Sequence, residues 1–395
     1  MTISFRNGFP SLSEHIVSLV MSQLRRGELD LVLHNGDEKH FVGAEAGPSA
    51  RVEIRDPRGA TQLLASTNIG LAEGYMDGHW DTPDLDAVLA LGLANLVDRP
   101  AALTPPTTPF QRVWHKRRDN SPRGSRRNIA EHYDLGNEFY RLWLDDSMAY
   151  SSAMFGESDD LHSAQLRKWD HLLDMLQPGP KDNLLEIGCG WGGFALYAAE
   201  QSGCRVTGVT LSEEQATWAR NAVVESGLEG KVDIRIQDYR AVPETYSAIA
   251  SIEMFEAVGE RWWPVFFQRI KDLLAPAGAA ALQTITIDEI RFDDYRRKPD
   301  FIQRYIFPGG MLPSPERFRA SAQAAGLDVT EEIHFGDSYS RTLAEWRDRF
   351  ETAVPGVREL GFDERFIRMW RYYLSYCRAG FNAKTIDVIQ VRLEA

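Results

Sequence analysis

The stretch Asn183-Leu-Leu-Glu-Ile-Gly-Cys-Gly-Trp-Gly-Gly193 decides the fold of the larger part of the chain. It predicts a short apolar β-strand that runs into a glycine-dense turn, and residues 194–200 predict the α-helix that follows. Strand, glycine turn and helix in this order are typical of the first βα turn of a nucleotide-binding α/β sheet. Gly188, Gly190 and Gly192 let the backbone approach a ligand closely, because a Cβ atom at these positions would clash with it.

Two cofactor classes are compatible with this glycine pattern. Gly188, Gly190 and Gly193 also satisfy the G-x-G-x-x-G pattern of dinucleotide-binding folds. Those folds need an acidic residue at the tip of the second strand, about 20 residues further on, but Thr210 occupies that tip here. An acid instead precedes the glycines at Glu186, where methyltransferases usually carry a carboxylate that faces the methionine end of the cofactor. These features favour a methyltransferase over a dehydrogenase.

The rest of the chain predicts a small first domain, a linker and a larger second domain. Residues 1–103 predict a small α+β domain, with a capped amphipathic helix, a β-hairpin that turns at Asn35-Gly36, and a further strand. Residues 104–128 are Pro-rich and basic and predict a linker. From 129 to 395, short apolar strands alternate with amphipathic helices, which predicts a parallel sheet covered on both faces. The helix cap is assigned to Ser11 and Glu14, and the apolar helix face to Ile16, Leu19, Val20 and Leu24. The first strand of the hairpin contains Leu29, Leu31 and Leu33, and the further strand contains Val52 and Ile54.

Composition excludes several classes of protein. The 395 residues carry a net charge of -13, which disfavours nucleic acid as a partner. Cys189, Cys204 and Cys377 have no CxxC spacing, so neither a disulfide scaffold nor a metal site is indicated. No apolar stretch approaches the roughly 18 residues of a membrane-spanning helix, and the first residues lack the pattern of a signal peptide. We therefore expect a cytoplasmic protein.

One local exception to the acidic composition is the basic run at residues 112–127, which contains seven Arg or Lys residues and a single acid, Asp119. Such a run can hold a protein on an anionic lipid surface, at about 1 kcal/mol per residue. A solvated linker without a partner explains it equally well.

Several further blocks of sequence carry a family resemblance. They are Glu131-His-Tyr-Asp-Leu-Gly-Asn-Glu-Phe-Tyr140, Met148-Ala-Tyr-Ser-Ser152, Gly208-Val-Thr-Leu-Ser-Glu-Glu-Gln215, Met254-Phe-Glu-Ala-Val-Gly259, Tyr305-Ile-Phe-Pro-Gly-Gly310 and Tyr372-Tyr-Leu-Ser-Tyr-Cys377. In these blocks the chain resembles the cyclopropane fatty acid synthase and mycolic acid methyltransferase family. The resemblance implies a Rossmann-like class I methyltransferase domain with a mostly parallel seven-stranded sheet. It also implies S-adenosylmethionine as the cofactor and the double bond of an unsaturated phospholipid acyl chain as the substrate.

The resemblance implies, position by position, which residues bind the cofactor. Tyr150 and Ser151 are expected to close over it, and Asp238 with Tyr239 to frame its adenine. Gln215 offers both a donor and an acceptor to a ribose. The complete expected set is Tyr150, Ser151, Glu186, Gly188, Gly190, Gly192, Thr210, Leu211, Gln215, Asp238 and Tyr239.

The resemblance also implies how the reaction loses a proton. In the family a bound bicarbonate is the base, and the matching positions here are Ser152, Glu256, Gln283 and Tyr339, with the backbone of Ile285. Ser152 stands where the family has a cysteine, and Gln283 stands where it has a histidine. The Gln amide does not titrate, whereas a histidine does. Two products therefore stay open: a cyclopropane, or a methyl-branched or methylene fatty acid.

Other candidate residues have a structural explanation that is equally good or better. Cys377 matches an active-site cysteine of the family, but its apolar helix also fits an inert buried thiol. Glu253, Asp134 and His132 are each explained as well by a structural hydrogen bond. Aromatic side chains are candidates for stabilising a carbocation and lining the acyl chain. They are Phe155, Trp191, Trp262, Trp263, Tyr305, Phe307 and Tyr339.

Two other functions stay open from the sequence. A methyltransferase for a small polar metabolite would share the glycine turn, and a lipid-binding protein would keep the fold but lose the base site through Ser152 and Gln283. For the favoured function, the expected partners are unsaturated phospholipid acyl chains at the inner face of the membrane, together with a second copy of the chain in a homodimer.

Overall fold

The computed structural model describes residues 12–64, 68–96, 135–157, 159–298 and 300–395. Several sequence predictions fall outside the described residues. They concern Ser11, the linker at 104–128 with its basic run, and residues 131–134 of the first family block.

The N-terminal elements build a four-stranded sheet with helices. They are α1 (Leu12–Met21), β1 (Arg26–Val32), β2 (Glu38–Val42), β3 (Glu45–Ile54), α2 (Pro57–Leu64), α3 (Asn68–Met76), β4 (Trp80–Asp81) and α4 (Leu85–Leu96). The sheet order is β2-β1-β3-β4, and β1 pairs antiparallel with β2, with Leu29 opposite Phe41. Val52 and Ile54 lie buried on β3. The predicted hairpin and the predicted further strand are confirmed.

The predicted apolar face of α1 is wrong, although the helix itself is present. Ile16 is 42% exposed and Leu19 is 66% exposed, whereas Val17 and Glu14 are fully buried. Glu14 Oε1 accepts a hydrogen bond from the backbone N–H of His34 at 2.9 Å and contacts the His34 ring at 2.7 Å. A buried carboxylate requires such partners, so this pairing fixes which face of α1 turns inward.

The remaining elements form the larger sheet and its helices. They are α5 (Asn137–Arg141), α6 (Leu161–Leu176), β5 (Asn183–Ile187), α7 (Gly193–Ser202), β6 (Arg205–Thr210), α8 (Glu213–Glu225), β7 (Val232–Ile236), β8 (Tyr246–Ile252), α9 (Trp263–Leu273), β9 (Leu274–Ile287), α10 (Glu289–Tyr295), a π-helical turn (Ile302–Ile306), α11 (Pro315–Ala324), β10 (Asp328–His334), α12 (Gly336–Glu359), α13 (Glu364–Asn382) and β11 (Ile386–Glu394). The seven-stranded order is β10-β11-β9-β8-β5-β6-β7, and β11 runs antiparallel to both of its neighbours. The predicted mostly parallel seven-stranded α/β sheet is confirmed.

The described residues divide into two compact units. The first contains residues 12–96 and 354–383, and the second contains residues 135–353 and 384–395. The helix α13 therefore groups with the N-terminal elements, whereas the sequence prediction places it in the second domain. Arg368 of α13 donates to the carbonyl oxygens of Tyr75 and Trp80 at 2.5 and 3.0 Å. The predicted domain boundaries lie outside the described residues and stay predictions.

The glycine turn lies directly on β6. The backbone N–H groups of Gly188 and Cys189 both donate to the carbonyl oxygen of Val209, at 2.9 and 3.0 Å. Gly208 makes this close approach possible, because a Cβ atom there would lie 2.9 Å from Cys189 Cβ and 2.9 Å from Ile234 Cδ1. Real Cβ contacts are longer than this, so any side chain at 208 would push the turn away from the sheet.

We predict that Gly208→Ala destabilises the second unit by about 1–3 kcal/mol, because the added methyl group overpacks the space under the glycine turn. Gly230→Ala is the matched control, because a Cβ atom at Gly230 meets no atom within 4 Å. Urea unfolding followed by tryptophan fluorescence measures both variants. Equal stability of the two variants would contradict the assigned packing.

Candidate active site

A cleft lies at the carboxyl ends of β5, β6 and β8, and the loop 147–151 contributes to its lining. Its interior offers about 170 Å³ to water-sized molecules. The carboxyl ends of the strands are where open α/β sheets bind ligands. Ten of the predicted cofactor-binding residues line this cleft. They are Tyr150, Ser151, Glu186, Gly188, Gly190, Thr210, Leu211, Gln215, Asp238 and Tyr239.

The lining departs from the prediction at Gly192, because Gly193 lines the cleft instead. Gly192 adopts a left-handed φ of +87°, and a Cβ atom there would lie 2.9 Å from Ala219 Cβ on α8. Its role is therefore to let α7 begin close to α8. Gly190 is different, because the nearest atom to a Cβ built there is Gln215 Nε2 at 4.0 Å. Gly190 thus keeps the cleft side of the turn open.

Thr210 fixes the orientation of the Gln215 amide at the edge of the cleft. Thr210 Oγ1 donates to Gln215 Oε1 at 2.9 Å, and Thr210 Oγ1 itself accepts from the backbone N–H of Ser212 at 3.2 Å. Because its oxygen already accepts, Gln215 turns its amide nitrogen towards Gly190 and the cleft. This side of the cleft therefore presents a hydrogen-bond donor.

Arg240, which the sequence interpretation missed, holds the Asp238 carboxylate. Its Nε and Nη2 atoms donate to the two oxygens of Asp238 at 2.8 and 2.7 Å. The guanidinium also lies over the rings of Tyr239 and Trp262, at 5.5 and 5.4 Å from their centroids. Both charged side chains are largely buried. The bidentate pair fixes the carboxylate at the end of the cleft where the resemblance implies adenine.

Glu253, rather than Glu256, is the carboxylate on which the residues of the predicted base site converge. Ser152 N donates to Glu253 Oε1 at 2.8 Å, Gln283 Nε2 donates to the same oxygen at 2.8 Å, and Tyr339 Oη donates to Oε2 at 2.7 Å. The Ser152 hydroxyl donates instead to the carbonyl of Ala153. Glu253 also lines the cleft, whereas none of the five predicted catalytic residues does; these are Ser152, Glu256, Gln283, Tyr339 and Cys377. Three donors around one carboxylate favour its ionised form.

The backbone at Glu253 is unusual as well. Its φ is +47°, in the left-handed region that non-glycine residues rarely adopt. Such strain occurs most often at functional sites, where the surrounding structure holds the residue in place. The sequence offered one signal for Glu253, namely a carboxylate directly after the apolar strand β8.

Glu256 lies in a different environment. Ile285 N donates to its Oε1 at 2.5 Å and Thr284 Oγ1 donates to the same oxygen at 3.0 Å, while Oε2 is buried without a partner among the described residues. Burial, followed by the charge of Glu253, raises the pKa of Glu256 to about 8. Burial also raises the pKa of Glu253, and its three hydrogen bonds and the charge of Lys168 oppose this rise. At neutral pH, Glu256 is therefore the carboxyl that holds a proton.

The buried side-chain amide of Gln390 fixes the orientation of the Gln283 amide. Gln390 Nε2 donates to Gln283 Oε1 at 2.9 Å and to the carbonyl of Lys168 at 3.3 Å, and His171 Nδ1 lies 2.7 Å from Gln390 Oε1. Gln283 and Gln390 are 1% and 0% exposed. This arrangement fixes the direction of both amides, so the nitrogen of Gln283 faces Glu253.

Lys168 is a second functional residue that the sequence interpretation missed. It is fully buried on α6, and its Nζ donates to Ser151 Oγ at 2.7 Å. Burial lowers its pKa to about 8, against the opposing charges of Glu253, Asp145 and Glu186. The available signal was helical spacing, because Lys168 falls seven residues after the buried Leu161, on the inward face of α6.

The candidate aromatic residues separate into different roles. Trp191 lines the cleft, and the ring of Phe307 lies 6.3 Å from that of Tyr150. Trp263 is only 3% exposed and stacks on Phe255 at 5.5 Å in the core. Ordinary packing therefore explains Trp263.

Cys377 lies on α13, in the unit that does not contain the cleft, and it is absent from the cleft lining. Its predicted catalytic role receives no support from this position. Cys377 is also only half-buried, so the alternative of an inert buried thiol is not confirmed either, and the catalytic role stays a prediction.

The sequence matches the mycolic acid cyclopropane synthetase family over residues 120–391. It is 40% identical over 335 residues to the tuberculostearic acid methyltransferase of Mycobacterium tuberculosis. The aligned region covers 82% of this chain and 78% of that protein. It is 36% identical over 357 residues to the cyclopropane-fatty-acyl-phospholipid synthase of Escherichia coli K12, covering 89% of each. A solved mycolic acid cyclopropane synthase complexed with SAH and CTAB aligns with a TM-score of 0.65 and 31% identity, over 68% of this chain and 98% of that one. The chain therefore belongs to the mycolic acid cyclopropane synthetase family and is an S-adenosylmethionine-dependent methyltransferase of the cyclopropane fatty acid synthase type.

Proposed function

We propose that this chain methylates a double-bond carbon of an unsaturated phospholipid acyl chain, and that Glu253 takes the proton released afterwards. The observation that carries the proposal is the convergence of Ser152 N, Gln283 and Tyr339 on the Glu253 carboxylate at the cleft. The names of the relatives, a tuberculostearic acid methyltransferase and a cyclopropane-fatty-acyl-phospholipid synthase, support the acyl substrate.

The groups that face the cleft fit S-adenosylmethionine. The Gln215 amide nitrogen suits a ribose hydroxyl, and Asp238 suits the amino group of adenine. Glu186 Oε2 is buried without a partner among the described residues, so it suits the cationic amino-acid end of the cofactor. When bound, S-adenosylmethionine supplies an electrophilic methyl group on a sulfonium centre.

Bicarbonate does not fit this site. Each donor that would hold it on the Glu253 side already bonds to the Glu253 carboxylate. A bicarbonate ion there would also be an additional anion beside the Glu253 carboxylate, which costs free energy. We therefore assign the role of base to Glu253 alone.

The proposed chemistry balances as follows. The electron pair of the alkene would form a bond to the methyl carbon while the carbon–sulfur bond of the sulfonium breaks and its electron pair leaves on the thioether S-adenosylhomocysteine. The neighbouring alkene carbon would then be a carbocation. Glu253 then accepts a proton from the new methyl group. If the released C–H electron pair bonds to the cationic carbon, a cyclopropane results. Water must be kept away from the cation during the reaction, because water would otherwise trap it.

A methylene product follows from the same cation by one additional step. A hydride shifts from the methylated carbon to its cationic neighbour, so that the positive charge moves to the methylated carbon. Glu253 then takes a methyl proton, and the released electron pair forms a double bond between the chain carbon and the former methyl carbon. A methyl-branched chain carries two more hydrogens than the methylene chain, so a separate reductant must supply them. The same base thus serves both products, and the presence or absence of the hydride shift decides between them.

The two rival functions receive less support. A small polar metabolite would need polar groups to orient it, and the polar groups at this cleft match the cofactor. A lipid-binding protein without activity would not need a strained, fully hydrogen-bonded carboxylate at Glu253. Methyl transfer from labelled S-adenosylmethionine to phospholipid vesicles, followed by mass spectrometry of the lipids, tests all three functions. An acyl chain heavier by one CH2 supports the proposal, and its uptake of hydrogen separates a methylene group from a ring.

We further propose that the protein works peripherally at the inner membrane surface, where its substrate lies. None of the described helices combines the length and the apolar character that crossing a bilayer requires. The basic run at 112–127 would supply the attraction to anionic lipid. The homodimer stays a prediction that light scattering in solution tests.

We predict that Glu253→Gln lowers turnover by at least about a hundredfold, because the amide keeps the shape of the carboxylate but does not accept the proton. The affinity for S-adenosylmethionine, measured by calorimetry, should stay within about threefold of the wild type. Glu225→Gln, an exposed change of the same kind on α8, serves as the control and should keep full activity. Full turnover in Glu253→Gln would contradict the assignment of the base.

We also predict that added bicarbonate partly restores the activity of Glu253→Gly but does not change the wild-type rate. The substitution removes the carboxylate, frees Ser152 N, Gln283 and Tyr339 for an external anion, and suits the left-handed φ of +47°. Initial rates over a bicarbonate series at constant pH measure the effect. Inhibition of the wild type on removal of bicarbonate would show that Glu253 is not sufficient as the base.

We predict that stability falls as pH rises from about 4.5 to about 8, in part through Glu256. The pKa of Glu256 is raised from 4.5 to about 8, so over this range the folded state keeps a proton that the unfolded chain loses. Glu256→Gln removes this loss, so its Tm relative to the wild type should be higher at pH 8.5 than at pH 5 by about 3 °C or more. Scanning calorimetry at both pH values tests this, with Glu225→Gln as the control. A pH-independent difference in Tm would contradict the proton on Glu256.

A further inference from the structure

The buried ammonium of Lys168 lies directly behind a hydroxyl that lines the cleft. Lys168 is fully buried, and within the described residues its Nζ donates one hydrogen bond, to Ser151 Oγ at 2.7 Å. Ser151 lines the cleft and is 7% exposed. A buried cation is unfavourable unless something compensates for its lost hydration, so this arrangement needs a reason.

The polarity of this hydrogen bond determines where the Ser151 proton points. An ammonium group only donates, so Ser151 Oγ is the acceptor and its single proton needs a different acceptor. The carbonyl of Ser151 is occupied by Gln165 Nε2 at 3.0 Å, and no described residue accepts the hydroxyl proton. The hydroxyl therefore directs its O–H into the cleft.

The surrounding charges make this hydroxyl a donor for an anion. A hydroxyl that accepts from an ammonium group is polarised and donates more strongly. The carboxylates whose charges act on Lys168 are Glu253, Asp145 and Glu186. Glu253 is held by its own three donors, and Asp145 accepts from Ser147 and pairs with His162. Glu186 also lines the cleft, but no hydrogen bond joins it to Ser151. The Ser151 proton thus remains available to a ligand.

We propose that Lys168 is a positioning residue that makes Ser151 the donor for the carboxylate of the amino-acid end of the bound cofactor. This inference rests on the proposed assignment of the cleft to S-adenosylmethionine. Lys168 does not line the cleft, so it acts through Ser151 and not by direct contact. The pair recognises the one negatively charged group of an otherwise cationic ligand.

Lys168 and Ser151 should therefore make the site prefer a ligand that carries the carboxylate over one that lacks it. A ligand that lacks the carboxylate gains nothing from the Ser151 donor, so loss of Lys168 should not weaken its binding. If Lys168 only stabilised the fold around α6, its loss would weaken both ligands equally. The pair S-adenosylmethionine and decarboxylated S-adenosylmethionine tests this, because both carry the sulfonium and the amine and only the first carries the carboxylate.

Isothermal titration calorimetry with these two ligands should compare the wild type, Lys168→Met, Ser151→Ala and the double variant. We expect Lys168→Met to weaken S-adenosylmethionine by about tenfold or more, as for loss of a charge-assisted hydrogen bond. Decarboxylated S-adenosylmethionine should stay within about threefold. In the Ser151→Ala background, Lys168→Met should cause no further loss of preference between the ligands.

Equal weakening of both ligands, or an undiminished effect of Lys168→Met in the Ser151→Ala background, overturns the inference. If Lys168→Met does not fold, Lys168→Gln takes its place, because it keeps a donor but removes the charge. Lys168→Gln should lose part of the preference for the carboxylate, and full retention overturns the proposal. A wild-type protein that binds neither ligand would refute the proposed function itself, so the two failures are distinguishable.

Discussion

A carboxylate removed from water must find its hydrogen bonds within the protein, and at Glu253 this constraint organises the whole site. Its partners come from separate parts of the chain, namely the loop at Ser152, the strand β9 at Gln283 and the helix α12 at Tyr339. Each partner is in turn fixed, as Gln283 is by Gln390. Moving any of these segments would leave a charge unsatisfied, so the carboxylate ties the elements around the cleft to one geometry.

The nearby Glu256 shows how the protein distributes charge between two carboxyl groups. Burial and the charge of Glu253 raise the pKa of Glu256 to about 8, so the two carboxyl groups do not both ionise at neutral pH. Glu253 has three donors and the field of Lys168, whereas Glu256 has Ile285 N and Thr284 on one oxygen only. The environment therefore leaves one carboxyl able to accept a proton and keeps the other neutral, and the assignment of base follows from the hydrogen bonds.

One short loop connects the cofactor side of the cleft with the base side. Ser151 lines the cleft, and the next residue, Ser152, directs its backbone N–H to Glu253. Lys168 donates a hydrogen bond to Ser151, and its charge acts on Glu253. A shift of this loop would therefore alter cofactor binding and proton acceptance together. This coupling suits a reaction in which a reactive cation must be deprotonated soon after it forms.

The family resemblance implied the seven strands and most of the residues that line the cleft, whereas the local sequence by itself determined the parallel α/β sheet and the glycine turn. These features depend on residues that are neighbours in sequence, such as the strand and turn at 183–193, where periodicity and glycine spacing are enough. The sequence did not determine the inward face of α1, the grouping of α13, or the convergence of hydrogen bonds from Ser152, Gln283 and Tyr339 on Glu253. Only the tertiary structure decided these, because a buried charge takes its partners from distant segments. Glu253 is 86 residues from Tyr339 and 101 from Ser152, and no local pattern encodes such a meeting.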